Sequence, residues 1–508
     1  MSDPRTPVVV GVGQAAERID DAYYRAMSAV ELAAGGARAA LEDCGADMAK
    51  VAATIDTVAG VRQFEISGPA KPVLGKSNNY PRSVANRIGA DPARAILEVV
   101  GGQGPQHLIN ELAAQIASGR SEVALVFGSD ATSTTRYFAG TDDRPDFSEI
   151  IEGELEDRGY GLDGLVSRYT VMHGLVDAPT QYGLLENARR AGTGLGPADY
   201  LRRMGELFAP FTKVAAGNPF AAAPVERGVD ELITITESNR MISDPYPRLL
   251  VARDQVNQGA AALLMSVEAA RRLEVPEDNW VYLHGHADLE EQPLLQRPDL
   301  GHSRSAVTAV REALEVAGIG IDDVGTFDLY SCFPVPVFNI CDGTGLATDD
   351  PRGLTLTGGL PFFGGAGNNY SMHAVAETVA RMRSTPGQFG LVGANGGILS
   401  KYSVGVYSTT PVQWKPDRSA QLQQQIGGWP SQAVTEAADG PAIIETYTVR
   451  RDSGKLTGIV IGRLVADDSR FLASTEDADL IAKLTEGEPL GQRIRVRSFD
   501  YGNRCTLG

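Results

Sequence analysis

Two glycine-rich turns are the places where this sequence could stabilise a developing negative charge. They read Val99-Val100-Gly101-Gly102-Gln103-Gly104 and Phe362-Phe363-Gly364-Gly365-Ala366-Gly367, and a predicted helix follows each. The start of a helix presents free backbone N–H groups and the positive end of the helix dipole, which suit an anion or an oxyanion. Glycines also let a substrate come close to the backbone. The local sequence favours this interpretation and simple tight packing equally.

Thiol chemistry has few candidates. The four cysteines are Cys44, Cys332, Cys341 and Cys505, and the sequence contains no Cys-x-x-Cys pair. This spacing fits neither a disulfide framework nor a zinc site, and the six histidines are too dispersed to indicate a metal. We therefore expect a reduced, cytoplasmic protein without a metal or a covalently bound cofactor.

A third glycine motif, Gly11-x-Gly13-x-x-Ala16, follows a predicted strand and is similar to a dinucleotide-binding fingerprint. That fingerprint needs an acidic residue at the end of a second strand about 20 positions later. The corresponding region has helical spacing instead. An ordinary turn at the end of a strand is the favoured interpretation.

Composition excludes several classes of function. The chain has 508 residues, with 46 Lys and Arg against 64 Asp and Glu, and a formal net charge of −18. Because it has no surplus of positive charge to place on phosphates, we do not expect it to bind nucleic acid. No apolar run approaches the roughly 20 residues of a membrane span, and the N-terminus lacks the pattern of a secretory signal.

Apolar strands alternate with helices around the glycine turns, which predicts a helix-covered α/β sheet. The predicted strands are Val8–Gly13, Ala52–Val61, Ala95–Val100, Glu122–Phe127, Gly259–Val267, Trp280–His284, Thr326–Leu329 and Phe389–Gly393. The predicted helices are Ala26–Leu41, Gln106–Ser118, Ser305–Ala317 and Ala374–Met382. A polar and aromatic stretch, Thr132–Pro224, reads as an insertion with helical pieces at Tyr182–Arg190 and Tyr200–Phe208.

Beyond Val412 the sequence becomes rich in short strands. Gln421–Trp429 is interpreted as a connecting segment. Five or six short strands and one helix are predicted there. The strands that can be located are Ala442–Val449, Leu456–Leu464, Phe471–Ala473 and Arg493–Val496, and the helix is Ala478–Leu484. This pattern predicts a small barrel of the oligonucleotide/oligosaccharide-binding type. Aromatic residues for base stacking are few, so docking of a protein partner is favoured over nucleic acid.

The unit around the first glycine turn recurs about 264 residues later around the second. Both copies run from an apolar pair through a glycine turn, a helix and an apolar strand to a glycine. Such a recurrence favours two homologous α/β halves. Chance similarity between two βαβ units is the alternative.

Several strings together resemble the thiolase superfamily, and within it the sterol-carrier-protein-2 type. They cover about residues 6–410 and are Glu98-Val-Val-Gly-Gly-Gln-Gly104, Phe127-Gly-Ser-Asp130, Pro179-Thr-Gln-Tyr182, Gly217-Asn218-Pro219, Ser243-Asp-Pro-Tyr-Pro-Arg248, Gly259-Ala-Ala-Ala262, Tyr330-Ser331-Cys332-Phe333, Gly358-Gly359-Leu360-Pro-Phe-Phe-Gly364-Gly365 and Gly393-Ala394-Asn395-Gly396-Gly397. The resemblance implies a duplicated fold of two βαβαβαββ halves in five layers, α-β-α-β-α, with a helical loop-domain insertion. The predicted domains are residues 1–270, including the insertion at about 131–225, then 271–411, then 412–508 with the additional antiparallel barrel.

The same resemblance implies a substituted active site. Thiolases use a cysteine nucleophile, a histidine that activates it and a second cysteine that moves a proton. The matching positions here hold Gly101, Gly365 and Ala394, and Tyr330 replaces the oxyanion histidine. No cysteine occurs in residues 99–110 or 392–401. We therefore predict no ordinary thiolase activity, although the family name would be acetyl-CoA acetyltransferase.

The remaining candidates for chemistry are Tyr330, Cys332 and His373. Each has a simpler alternative, because Tyr330 could fill the pocket, Cys332 could be a buried structural residue, and His373 could be a packed histidine, as could His107 at the similar place in the first helix. The backbone expected to line the oxyanion and substrate pocket comes from Gly102, Gly364, Asn395 and Gly396.

Three functions remain open at this point. The first is an acyl-CoA-binding protein of lipid metabolism without thiolase turnover, in which Arg248, Arg352 or Lys401 meets the phosphates of coenzyme A. The second is a retro-aldolase acting on a CoA thioester, with Tyr330 as acid and base, because some members of the sterol-carrier-protein-2 subgroup resemble tyrosine-dependent aldolases. The third is a non-catalytic protein that docks a protein partner on its C-terminal barrel.

Overall fold

The computed structural model describes residues 3–163, 165–452 and 454–508. Its strands are β1 (Pro7–Ala16), β2 (Thr57–Gly60), β3 (Arg94–Leu97), β4 (Val123–Asp130), β5 (Glu156–Asp157), β6 (Met241–Ser243), β7 (Tyr246–Pro247), β8 (Gln258–Ser266), β9 (Val281–Glu290), β10 (Val324–Leu329), β11 (Phe389–Gly396), β12 (Lys401–Ser408), β13 (Gly440–Asp452), β14 (Lys455–Leu464), β15 (Arg470–Thr475), β16 (Arg493–Arg497) and β17 (Arg504–Leu507). Its α-helices are α1 (Ala29–Asp43), α2 (Met48–Thr54), α3 (Tyr80–Arg87), α4 (Gly104–Ala117), α5 (Thr132–Phe138), α6 (Arg168–Met172), α7 (Ala178–Thr193), α8 (Pro197–Gly217), α9 (Val229–Ile233), α10 (Val267–Arg272), α11 (Arg304–Ala317), α12 (Pro334–Thr344), α13 (Tyr370–Ser384), α14 (Ser419–Gly427) and α15 (Ala478–Glu486).

The duplication is visible in the order of the strands. A sheet of ten strands runs β10-β11-β12-β9-β1-β8-β4-β2-β3-β5. The first half, β3-β2-β4-β8-β1, has the same topology as the second half, β10-β11-β12-β9, in which β9 corresponds to β1 and β12 to β8. Two residue pairs between β1 and β9 join the halves, Val8 with Tyr282 and Val9 with Val281. At the place in the second half that corresponds to β3, the carbonyl of Leu354 accepts from the N–H of Leu329 (3.0 Å), and the described residues form no strand there.

Three hydrophobic clusters define the layers. The central cluster contains Leu112 of α4 and Val379 of α13, so these two helices lie between the two halves of the sheet. A second cluster packs α1 against the outer face of the first half. A third packs α11 and α12 against the outer face of the second half, where it merges with the helices of the insertion. The predicted five-layer α-β-α-β-α architecture is confirmed.

Glycine at the fifth position of β1 and of β9 lets a helix lie directly on each strand. A Cβ on Gly11 would lie 2.1 Å from the carbonyl oxygen of Ala40 in α1. A Cβ on Gly285 would lie 1.9 Å from the carbonyl oxygen of Ala313 in α11. The two halves therefore repeat the same close contact between strand and helix, which is what duplication predicts.

Replacing Gly285 by alanine should lower the free energy of unfolding by about 1–3 kcal/mol, because the new methyl group forces α11 away from β9. Chemical denaturation measures the change. Gly192→Ala in α7 is the matched control, since nothing lies within 4 Å of the new methyl there. It should be neutral or stabilising by up to about 1 kcal/mol, because alanine is the better helix former. Equal destabilisation by both substitutions would contradict the close contact at Gly285.

The C-terminal domain is a closed barrel of five strands, as predicted, but it is not wholly antiparallel, because β15 pairs with β17 in parallel through Ser474 and Arg504. Its strands follow one another in the order β14-β15-β17-β16-β13, and β13 pairs with β14 to close the circle. Helix α15 packs Leu480 and Leu484 into the barrel core. The hairpin β6–β7, which follows the insertion in the chain, attaches to β13 through Ser243 and Arg450, so the barrel and the segment before β8 share a sheet.

Two groups of polar contacts anchor the barrel to the thiolase-like core. The fully buried guanidinium of Arg470 pairs with Glu445 (2.6 Å) and donates to the carbonyl of Leu295 (2.9 Å). On α6, the hydroxyl of Tyr169 accepts from the N–H of Leu472 (2.9 Å). His173 follows α6, and its Nε2 accepts from the N–H of Asn503 (2.8 Å). The barrel is therefore docked on its own chain.

Three local features differ from the sequence predictions. The predicted strand Ala52–Val61 is wrong in its first part, because α2 runs to Thr54, with Asp47 accepting hydrogen bonds at its N-terminus, and β2 begins only at Thr57. The connecting segment Gln421–Trp429 is mostly helix α14, which buries Ile426. The last strand, β17, was not predicted at all. No helix among the described residues is long and apolar enough to cross a membrane.

Candidate functional site

The fold brings the two predicted glycine turns into contact. The first turn precedes α4, and the N–H of Gly101 donates to Oδ1 of Asn368 in the loop before α13 (3.1 Å). The hydroxyl of Ser371 donates to the carbonyl of Gly102. Gly101 has a φ of 147°, a conformation that favours glycine. The site predicted from the two turns is thus a single place in the structure, at the N-termini of the two central helices.

Other side chains occupy the space that a nucleophilic side chain in the first glycine turn would need. A Cβ on Gly102 would lie 2.2 Å from Oη of Tyr330. The Oε1 atom of Gln103 would be 2.0 Å from a Cβ on Gly101 and 1.7 Å from a Cβ on Gly396. The turn therefore accommodates no cysteine unless Gln103 and Tyr330 move.

The other two substituted positions lie on the opposite side of the site. The N–H of Gly365 donates to the carbonyl of Arg253 (2.7 Å), which holds the second glycine turn against the segment before β8. A Cβ on the neighbouring Gly364 would lie 2.8 Å from Oε1 of Gln258. Ala394 is fully buried in β11. Next to it, the side-chain amide of Asn395 donates to the hydroxyl of Tyr182 (2.8 Å).

Tyr330 lies at the end of β10 and faces the start of α4. Its ring contacts Tyr370 edge-on, with 5.4 Å between the ring centroids. Among the described residues its hydroxyl has no hydrogen-bond partner, whereas the Tyr370 hydroxyl contacts Oγ1 of Thr357 (2.5 Å) and donates to Asp328 (3.2 Å). Burial raises the pKa of Tyr330 well above its usual value of 10. Tyr330 therefore stays protonated at neutral pH.

Cys332 is a poor nucleophile in this environment. Its side chain is 7% exposed, and burial raises the pKa of its thiol to about 12. Its carbonyl accepts from the N–H of Ala252 (3.0 Å), and the following Phe333 stacks on Tyr182 with 4.5 Å between the ring centroids. These contacts support the structural alternative for Cys332.

His107 and His373 occupy the same place, the fourth residue of α4 and of α13, but they have opposite electrostatics. Burial lowers the pKa of His373 to about 3, and its Nδ1 contacts Oε1 of Gln14 (2.7 Å). Burial also lowers the pKa of His107, but the charge and hydrogen bond of Asp288 outweigh this effect and raise the pKa to about 9. Neither histidine is poised to exchange a proton near pH 7.

Glu98, His107 and Glu111 offer ligand atoms within 4.8 Å of one another. Arg158 already supplies a cation there, because its guanidinium lies 2.7 Å from a carboxylate oxygen of Glu98 and of Glu111. This cluster is a salt-bridge network and does not indicate a metal site.

Except for His373 and Asn395, sequence reasoning missed the residues of a group of buried polar atoms that line the site without hydrogen-bond partners among the described residues. They are Oε1 of Gln103, Oδ2 of Asp130, Oε1 of Gln258, both side-chain polar atoms of Asn369, Nε2 of His373 and Oδ1 of Asn395. Burial raises the pKa of Asp130 well above its usual value. Buried polar atoms usually find partners, so such a group indicates a place for a polar ligand or water. The glycines beside these residues were the only signal in the sequence.

Two adjoining cavities open beside the second glycine turn. One, of about 290 Å³, is lined by four arginines and Asp254, and we call it the arginine groove; its arginines are Arg136, Arg240, Arg248 and Arg253. The other, of about 500 Å³, lies between residues 16–20, the insertion residues 220–225 and the start of β8, and we call it the insertion cavity. Arg253 and Gln255 line both. Of the residues in this region, only Arg248 was predicted from the sequence to meet phosphates.

Three arginines of the groove, Arg240, Arg248 and Arg253, have no ion pair among the described residues, and Arg253 is the most buried of them. Arg136, in contrast, is paired with Asp254. Burial first, and then the neighbouring charges of Arg248 and Arg227, lower the pKa of Arg253. An anion bound in the groove would relieve this mutual repulsion.

The strand order, the paired central helices and the site at their N-termini define a protein of the thiolase fold. Acetyl-CoA acetyltransferase from Syntrophomonas wolfei matches 80% of this chain and 99% of its own at 14% identity and a TM-score of 0.56. The Ltp2-ChsH2(DUF35) aldolase matches 80% of this chain and 98% of its own at 17% identity and a TM-score of 0.59. At these identities the likeness shows the fold alone.

A more similar structure identifies the family. The monomeric SCP2-thiolase like protein type 1 (STLP1) from Mycobacterium smegmatis is 59% identical, covers 100% of both chains and gives a TM-score of 0.87. The model of the thiolase-like protein type 1 additional C-terminal domain matches residues 421–500. The chain therefore belongs to the SCP2-thiolase-like protein type 1 family. Comparison with curated proteins gives no match.

Proposed function

We propose that the protein binds a coenzyme A thioester at the arginine groove and the insertion cavity, and that it does not cleave this ligand by thiolysis. The observation that carries the proposal is the contact between the two cavities at Arg253. An acyl-CoA is itself anionic at one end and apolar at the other. The cavities match this division, because one is cationic and the other is lined in part by Ile19, Phe220 and Val225.

The phosphates would lie in the arginine groove. Arg240 and Arg248 are exposed there, and Arg253 is half-buried behind them. Arginine binds phosphate oxygens through paired N–H donors, which gives strong, directed hydrogen bonds. The backbone of Arg253 contacts Gly365 directly, so a ligand held by this side chain lies beside the glycine turns.

Thiolysis has no nucleophile at this site. The positions that would supply the thiols and the activating histidine are Gly101, Gly365 and Ala394, and the pKa of Cys332 is about 12. Without a thiolate, no covalent acyl-enzyme forms.

Calorimetric titration with acetyl-CoA tests the binding. We expect saturable binding, which Arg253→Gln should weaken at least tenfold, because a lost hydrogen bond between charged groups is worth about 1.5–3 kcal/mol. Arg203→Gln is the matched control, since that side chain is 58% exposed on α8, outside both cavities, and the change should leave the affinity unchanged. Absence of binding at millimolar acetyl-CoA would overturn the proposal. Turnover of acetoacetyl-CoA with free coenzyme A would overturn the lack of thiolysis.

Retro-aldol cleavage of a CoA thioester is the second candidate. It is favoured by the unpartnered hydroxyl of Tyr330, which faces Gly102 at the start of α4. A tyrosine in that position can transfer a proton to or from a bound ligand. If the purified protein cleaves a β-hydroxyacyl-CoA to a carbonyl compound, Tyr330→Phe should abolish the rate. A cleavage rate that Tyr330→Phe leaves unchanged would eliminate this candidate.

A further inference from the structure

The barrel presents a row of arginines on its outer surface. In β16, Ile494 and Val496 point into the barrel core, and the alternate residues Arg493, Arg495 and Arg497 are exposed. We call these three residues the arginine ladder. Alternate residues of a strand are about 7 Å apart on one face, so the ladder places three positive charges in a line.

The ladder has no carboxylate partner in the part of the chain that the structure describes. The residues opposite Arg495 are Pro441 on β13 and Thr506 on β17. Opposite Arg497 lies another cation, Arg504. Like charges directly opposite each other destabilise a sheet, so this pair costs stability unless an anion lies between its members.

Two exposed aromatic rings extend the ladder. Phe499 and Tyr501 follow β16, are 43% and 58% exposed, and stack on each other with 5.2 Å between their centroids. The guanidinium of Arg504 lies over the Tyr501 ring, 4.8 Å from its centroid. One face of Phe499 therefore remains open next to a line of cations. Single-stranded nucleic acid is bound in this way, by cations that follow the phosphates and by aromatic faces that stack on bases.

The charge of the barrel differs from that of the whole chain. Residues 440–508 contain ten Lys and Arg and ten Asp and Glu, whereas the whole chain carries −18. The expectation that the protein binds no nucleic acid was based on the whole chain. We propose that the arginine ladder, with Arg504, Phe499 and Tyr501, forms a binding surface for single-stranded nucleic acid. This surface is independent of the coenzyme A site.

Fluorescence anisotropy with a labelled oligothymidine of about 20 nucleotides, longer than one such barrel covers, tests the proposal on the full chain. With four phosphate contacts, the logarithm of the affinity should fall with the logarithm of salt concentration with a slope of about −2 to −3. The triple variant R493Q/R495Q/R497Q should bind at least tenfold more weakly, with a slope shallower by about 2. Its melting temperature should stay the same or rise, because the repulsion between Arg497 and Arg504 is removed.

The control is R202Q/R203Q/R271Q, three arginines that are about half exposed on other surfaces. It should bind like the unchanged protein. Phe499→Ala should weaken binding of the oligothymidine, because it removes the open aromatic face on which a base would stack. Three results would overturn the proposal: no saturable binding at low salt, equal effects of the two triple variants, or equal affinity for polyglutamate, which would indicate an acidic protein partner instead.

Discussion

Replacing Arg470 by leucine should lower the free energy of unfolding by about 3–5 kcal/mol, because it breaks a buried ion pair and removes a donor from each of its partners. The Arg470 guanidinium is 0% exposed. Its removal takes one donor from Glu445 and strands the half-buried carbonyl of Leu295 and the buried carbonyl of Arg297, to which it donates across the junction of barrel and core. Urea denaturation followed by circular dichroism measures the loss.

Arg463→Leu is the matched control. Arg463 pairs with the same Glu445 (3.1 Å) but is 24% exposed. Solvent screens such a pair, so we expect a change of about 0–1 kcal/mol. Equal losses from the two substitutions would mean that the contact of Arg470 with the core contributes little, and that the barrel is held by its other contacts.

The thiols of the folded protein should be almost inert. A disulfide reagent at pH 8 should label Cys332 on the order of a thousandfold more slowly than an unfolded cysteine, because a pKa of about 12, in place of about 8.5, leaves very little thiolate. Burial also raises the pKa of Cys341 and of Cys505 to about 12, and raises that of Cys44. Guanidinium chloride should release all four thiols.

The control is the variant Cys332→Ala, which should label at the same negligible rate in the folded state and release three thiols on denaturation. One thiol that reacts within minutes in the folded protein, and that Cys332→Ala removes, would contradict the structural role of Cys332. It would return this residue to the candidates for catalysis.

Much of the fold follows from local sequence. β1, β4 and β8 are long apolar runs, so their positions were predicted within a few residues. The end of α2 was interpreted as a strand because its short apolar stretch runs directly into that of β2. Strand β17 contains Arg504 and Thr506, and it is recognisable as a strand only through its pairing with β16.

The substituted positions of the site were predicted, but what fills the space was not. Gln103 lies in the predicted turn, yet its contact with Gly396 joins residues that are far apart in the sequence. The same holds for the arginine groove, where Arg136 and Arg253 meet only after the insertion has folded. The roles of Tyr330, Cys332 and His373 in chemistry stay predictions, as does the binding of a CoA thioester.

The contacts of α6 with the barrel can form only near the end of synthesis, because their two sides lie far apart in the sequence. The Tyr169 hydroxyl bonds to Leu472, which is 303 residues further along the chain. At about 5–20 residues per second, a ribosome needs about 15–60 s to make that stretch. Asn503, the hydrogen-bond partner of His173, is synthesised later still, because it lies 330 residues further along the chain. The insertion therefore cannot reach its final packing until the last strands emerge from the ribosome. Until then, Tyr169 and His173 of the nascent chain must not form stable contacts with other groups.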